Sequence, residues 1–260
     1  MTGKEHFISI LKKESGHPGF WHGHPHRDII ERLYSHYNVK TDFELGLKLP
    51  SIIRTVSPEG YTWNFFGMEN CFVKMHTNPE VVEAVTSHIT NFYLIANEKL
   101  FEQAKKKIDA VFIGVDMGSQ LDLLLSPEGF ERFLFPYLKK LINQAHDHGY
   151  YLVLHSCGSI YRIIPDLIKA GVDVLHPIQA QAKFMDAETL AKNYNGKIVF
   201  LGGVDTQYVL PFGSPHDVKE EVRRLRKLFG PNYIVSPSHE TLLPSVKTEN
   251  VEAMVEAAWE

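Results

Sequence analysis

Residues 109–155 read DAVFIGVDMGSQLDLLLSPEGFERFLFPYLKKLINQAHDHGYYLVLH. The reading of this stretch decides the fold. It opens on DAVFIGVD, a continuous apolar run of strand length, and closes on a second, YYLVLH. Between them, SPEGFERFLFPYLKKLINQAHDHG has Ser126 in the capping position, Pro127 at the first helical position and Gly149 past the end. That pattern predicts one helix. Strands apolar throughout and joined by a helix predict parallel pairing, with both faces of the sheet covered.

The alternation continues outward. Towards the C-terminus come helix YRIIPDLIKAG, strand VDVLHP, helix MDAETLAKNY, strand KIVFLGG, helix SPHDVKEEVRRLRKLFG, strand YIVSP and helix TENVEAMVEAAWE. Towards the N-terminus a long helix starts at Pro79, strands are expected at GFWH and SIIRTVS, and MTGKEHFISILKKE reads as an amphipathic helix rather than a signal peptide. Residues 38–78 are less regular, with short possible strands around IIRTV and CFVKM. No Gly-rich dinucleotide fingerprint follows the first strand, which weakens an open doubly wound sheet. The expectation is an α/β chain forming a single-domain (β/α)8 TIM barrel over residues 1–260, shortened or irregular in its N-terminal half.

Composition narrows the function classes. With 260 residues, 44% of them hydrophobic, the chain can bury one sizeable core. A net charge of −4 gives no basic field for nucleic acid or anionic lipid. Runs such as AVFIGV are too short to cross a bilayer, so no membrane association is expected. Cys71 and Cys157 make no disulfide framework in a chain this long, and a soluble cytoplasmic protein is the simplest expectation.

Polar residues gather at the carboxyl ends of the expected strands: His22 and His24, Asp116, His155 with Cys157, His176 and Gln179, Asp205 and Gln207, then Ser238, His239 and Glu240. In a parallel barrel these ends meet at one face, where loops build the active site. His155 and Cys157 stand two apart in an extended segment and face the same way, so an imidazole and a thiolate can share one ion. Zinc accepts such ligands and, in catalytic sites, takes about three from the protein with one position open. His239 is the expected third ligand, with His176, Gln179 or Glu240 able to complete or replace it. The plainer alternative is a buried cysteine beside a hydrogen-bonded histidine. Asp116 reads as a polar strand-end residue or a loop cap. His22 and His24 read as substrate contacts, because Gly23 and Pro25 break any fixed histidine face. Asp205 and Gln207 read as substrate-binding residues or as a capped tight turn.

Four stretches, VFIGVDMGSQLDLLLSPEGFERFLFPYLKKL, HSCGSIYRIIPDLIKAGVDVLHPIQ, FLGGVDTQYVLPFGSPHDVKEEV and SPSHETLLPSVKTENVEAM, together resemble the uroporphyrinogen decarboxylase superfamily. The likeness is to its branch of decarboxylase-like proteins and corrinoid-dependent methyltransferases. It implies a TIM barrel with a cleft at the strand ends. It also implies zinc on His155 and Cys157, and a methyl group moved between a corrinoid carried by a partner protein and a thiol or other small-molecule acceptor. The superfamily's third zinc ligand is a cysteine near the last strand. Here Cys71 lies in the wrong segment and His239 stands near the expected place. The arginine-rich N-terminal motif of true uroporphyrinogen decarboxylases has no counterpart in FWHGHPHR. Metal-free decarboxylation of a porphyrinogen centred on Asp116 is the alternative, and a binding protein that has lost catalysis is a third. The region between the first strand and the long helix is shorter than the resemblance implies. A partner subunit completing that wall would make the protein a homodimer.

Overall fold

The computed structural model describes residues 2–49, 51, 55–56, 65–104, 108–239 and 241–260. Seven strands pair in parallel: β1 (Gly19–Phe20), β3 (Thr55–Val56), β4 (Ala110–Gly114), β5 (Tyr151–His155), β6 (Val174–His176), β7 (Val199–Val204) and β8 (Tyr233–Pro237). Their order is β1-β8-β7-β6-β5-β4-β3. A separate two-stranded pair joins β2 (His24–Pro25) to β9 (Thr241–Leu242). Helices link successive strands from β4 onward, the αβ alternation expected from residues 109–155. The long helix Pro79–Ala104 precedes β4, and Pro215–Phe229 lies between β7 and β8.

Side-chain alternation along the strands separates two apolar layers. Ala110 and Phe112, Val153, Val174, Val199 and Leu201, and Ile234 form one buried cluster with Trp21 and with Phe7 and Ile10 of the helix Gly3–Leu11. Their neighbours Val111, Ile113, Leu152, Leu154, Leu175, Phe200, Tyr233 and Val235 belong to the larger cluster under the helices. Five strands contributing every second residue to one buried cluster, with Trp21 just past β1, form the interior of a TIM-type barrel. Among the described residues β1 and β3 stand at the two ends of the strand order, one strand short of eight. In the N-terminal half β1 has two residues, and β3 is described at Thr55–Val56.

Two local expectations are corrected. SPEGFERFLFPYLKKLINQAHDHG is not one helix but two, Pro127–Phe133 and Phe135–Asp147, parted at Leu134 with φ −122°. Pro136 explains the break: it has no N–H to donate and its ring opposes the carbonyl four residues back. CFVKM is not a strand but lies in the helix Met68–Thr77. Its apolar side chains follow helical spacing, with Cys71 and Met75 buried on one face. Of the possible strand around IIRTV, Thr55–Val56 is β3, and residues 52–54 lie outside the described residues.

Candidate functional site

Strand ends β4 and β5 lie side by side, with Gly114 paired to His155. The Val115 N–H donates to the His155 carbonyl over 2.9 Å. Beyond this rung the loops stay in contact. The Cys157 N–H donates to Asp116 Oδ1 over 2.8 Å, the Met117 N–H to Ser156 Oγ over 2.9 Å, and the Ser159 N–H to the Ser119 carbonyl over 2.7 Å. Gly118 and Gly158 permit this approach. Gly158 has φ +82°, and a Cβ there would lie 2.2 Å from the Gly118 oxygen. No side chain fits that gap, and L-residues rarely adopt that φ.

The packed loops bring three donors of different chemistry together. His155 Nε2 lies 3.4 Å from Asp116 Oδ1 and 3.5 Å from Cys157 Sγ. One ligand atom from each of Asp116, His155 and Cys157 falls within 4.8 Å of the others. His155 is buried, Cys157 partly buried and Asp116 exposed. Hydrogen bonding to His155 is the main cause holding the Asp116 carboxyl below the usual carboxylate range. The Cys157 N–H and the nearby His155 and His239 imidazoles act the same way, against a smaller opposing effect of burial. An ionised carboxylate, an imidazole and a thiol suit zinc, and three such ligands leave one position open. The donor set therefore fits the metal that the resemblance implies.

His176 ends β6 in register with His155. It is wholly buried, and its Nδ1 lies 2.8 Å from His155 Nδ1. Gln179, three residues on, accepts the Gly158 N–H through Oε1 over 2.6 Å and so ties the β6 loop to the same cluster. An apolar recess lined by Met117, Leu123, Leu125, Phe130 and Leu134 opens beside Asp116.

The other expected site residues are placed as follows. His239, partly buried, has its ring 6.2 Å from that of His155 and accepts the Thr241 N–H at Nδ1 over 3.2 Å. It borders the Asp116–His155–Cys157 group without belonging to it. His22 is buried at the end of β1, with Nδ1 2.8 Å from Ser51 Oγ and Nε2 3.5 Å from Asp42 Oδ1. His24 lies in β2 opposite Thr241. Asp205, past β7, accepts the N–H groups of Gln207, Tyr208 and Val209, an arrangement that caps the turn. Gln207 is exposed on that loop. Glu240 lies outside the described residues. Sequence reading missed the Nδ1 contact of His176; its one signal was a second histidine at a strand end, HSC and LHP in neighbouring strands.

Fold and site together define an α/β barrel protein whose polar groups converge where the strands end. The chain belongs to the uroporphyrinogen decarboxylase (URO-D) family, which it matches over residues 35–260. It is 24% identical over 180 residues to the Methylcobamide:CoM methyltransferase MtbA of Methanosarcina acetivorans, 69% of this chain and 50% of that protein. With the protein of the same name from Methanosarcina mazei it shares 24% over 213 residues, 82% of this chain and 59% of that one. A uroporphyrinogen decarboxylase of Geotalea daltonii is 29% identical over 188 residues, 70% of this chain and 50% of that protein. The chain thus spans about half to three-fifths of the length of these relatives. Among solved structures, a methyltransferase from Methanosarcina mazei superposes with a TM-score of 0.66 at 19% identity, covering 94% of this chain and 70% of that one. Among the described residues no helix is long and apolar enough to cross a membrane.

Proposed function

We propose that this protein is a URO-D-family methyltransferase that passes a methyl group from a corrinoid, carried by a partner protein, to a thiol or similar small acceptor. One observation carries the reading: Asp116, His155 and Cys157 offer a carboxylate, an imidazole and a thiol within 4.8 Å at the barrel mouth. These three residues would hold zinc, whose chemistry there is to lower the pKa of an acceptor thiol and keep it as a thiolate. The names of the two Methanosarcina relatives support the same reaction class.

The chain's own residues have separable tasks. Cys157 and His155 would hold the metal from the end of β5, with Cys157 Sγ 3.5 Å from His155 Nε2. Asp116 would add the third ligand, oriented by the Cys157 N–H. Gln179 fixes the Gly158 turn under the cluster. His239, bordering the cluster, and Gln207, exposed on the β7 loop, would contact substrate. The acceptor thiol, its proton released, would take the methyl group as a thiolate, and the corrinoid would be left demethylated with the electron pair of the broken bond.

The Geotalea daltonii relative supports a second reading, metal-free decarboxylation of uroporphyrinogen or a related acid with Asp116 central. Metal analysis of protein purified without chelator separates the two, run beside methyl transfer from methylcobalamin to thiols. About one zinc per chain with thiol methylation is expected. Zinc-free protein that consumes uroporphyrinogen would establish the second reading instead.

A further inference from the structure

Two imidazoles meet inside this barrel, and only one of them reaches the three-donor cluster. His155 and His176 are register partners on adjacent parallel strands, so their side chains point to the same side of the sheet. Their neighbours two residues earlier, Val153 and Val174, belong to the interior cluster. The rings therefore sit on top of an apolar column. His176 is fully buried, with the Trp21 ring edge-on at 5.4 Å and the Phe112 ring at 5.6 Å. Phe112 also stacks on His155 at 5.9 Å. Between the two histidines, Nδ1 faces Nδ1 over 2.8 Å, while the opposite edge of His155 turns Nε2 to Asp116 and Cys157.

A hydrogen bond between two ring nitrogens needs one donor and one acceptor. A metal on His155 needs a lone pair on Nε2, which leaves the His155 proton on Nδ1. That proton can then be donated only if His176 presents a bare Nδ1 and carries its own proton on Nε2. We propose that His176 is a positioning residue. It accepts the Nδ1 proton of His155, fixes the tautomer that frees Nε2, and locks the ring in the plane that aims Nε2 between Asp116 and Cys157. Metal-ligating histidines commonly donate their second N–H to a carboxylate or carbonyl; here an imidazole takes that role. The inference rests on the zinc reading of Asp116, His155 and Cys157 given above.

The test uses the full chain and zinc itself. His176→Leu keeps bulk and removes the acceptor; His176→Asn keeps an acceptor oxygen. Zinc affinity measured by competition with a chromophoric chelator is expected to fall roughly 10- to 100-fold in the Leu variant, the usual scale for losing an outer partner. The Asn variant is expected to recover most of that loss. Equal affinity in wild type and in folded His176→Leu would overturn the proposal. So would equal losses in both variants, since a purely steric role gives no rescue. If the Leu variant does not fold, the ¹⁵N spectrum of histidine-labelled, zinc-loaded wild type decides. One ring protonated on Nδ1 and bound through Nε2, hydrogen-bonded to one protonated on Nε2, supports the proposal. Ligation through His155 Nδ1 overturns it. Wild type that takes up no zinc at all removes the metal reading and this inference together, a result distinct from weakened binding in the variants alone.

Discussion

The barrel interior changes character within one residue pair along the strand axis. At the lower level β4, β5, β6, β7 and β8 contribute Ala110, Val153, Val174, Val199 and Ile234, closed beneath by Phe7 and Ile10. One step up, β5 and β6 place His155 and His176 where valines stood, and the β4 loop adds Asp116. The same backbone thus holds a close-packed apolar plug and a polar cluster less than a strand length apart. The lower level is apolar packing, and the upper level carries the polar groups of the proposed site. Burial without polar demands fills space below, whereas each polar atom above must find a partner. The upper level meets part of that demand in the His155–His176, Asp116–Cys157 and Gln179–Gly158 bonds.

The strongest way to break this division is a pair of substitutions. Leu201→Ala empties a fully buried interior position and is expected to destabilise by about 2–5 kcal/mol, read as a fall in the denaturation midpoint with zinc affinity retained in the folded fraction. Cys157→Ala, at a partly exposed loop position, is expected to change stability by less than about 1 kcal/mol. It should abolish high-affinity zinc binding. Matching stability losses in the two variants would show that the levels are not independent.

Gly158→Ala tests the junction of the levels. Its φ of +82° and the 2.2 Å approach to the Gly118 oxygen predict a loss on the order of 1–3 kcal/mol from backbone strain. Zinc binding should weaken as well, because the Asp116 and Cys157 loops must separate; calorimetry and metal titration read the two effects. The smallest effect is expected far from both levels. Ser214 and Asp217 form a capping box at the start of the helix Pro215–Phe229, so Ser214→Ala should cost about 1 kcal/mol with zinc binding unchanged. Hydrogen bonds from the Ser214 hydroxyl and N–H hold Asp217 below the usual carboxylate range. A carboxyl whose pKa is lowered by folding stabilises above its unfolded value, near 4, and loses that contribution as pH falls through the lowered one. The difference between wild type and Ser214→Ala should therefore shrink on acidification, by urea denaturation at neutral pH and below pH 4.

Much of this architecture is legible in the residues. β4, β5, β7 and β8 declare themselves as apolar runs with turn residues at their ends, and His155, Cys157 and Asp116 are placed by the rule that strand ends converge. Local pattern fails where two signals compete. CFVKM has the β-branched and aromatic content of a strand, yet its burial at Cys71 and Met75 follows helical period. Pro136 signals a break, but the periodicity on either side of it is unbroken. The candidate cluster shows the deeper limit. Asp116 and His239 each stand two residues past the end of a strand, β4 and β8, and so look equivalent in sequence. The β4–β5 loop contact, through backbone N–H groups of both loops, puts Asp116 beside His155, while the His239 ring stands 6.2 Å from that of His155. Side-chain patterning carries no record of main-chain contacts between loops forty residues apart.

That loop contact bears on how the site can be transplanted. Gly118 and Gly158 press two main chains together so closely that neither segment has a shape of its own to carry elsewhere. Residues 114–119 and 155–159 form a single inheritable part: a chimera exchanging one without the other imports a carboxylate or a thiol but not the interval between them.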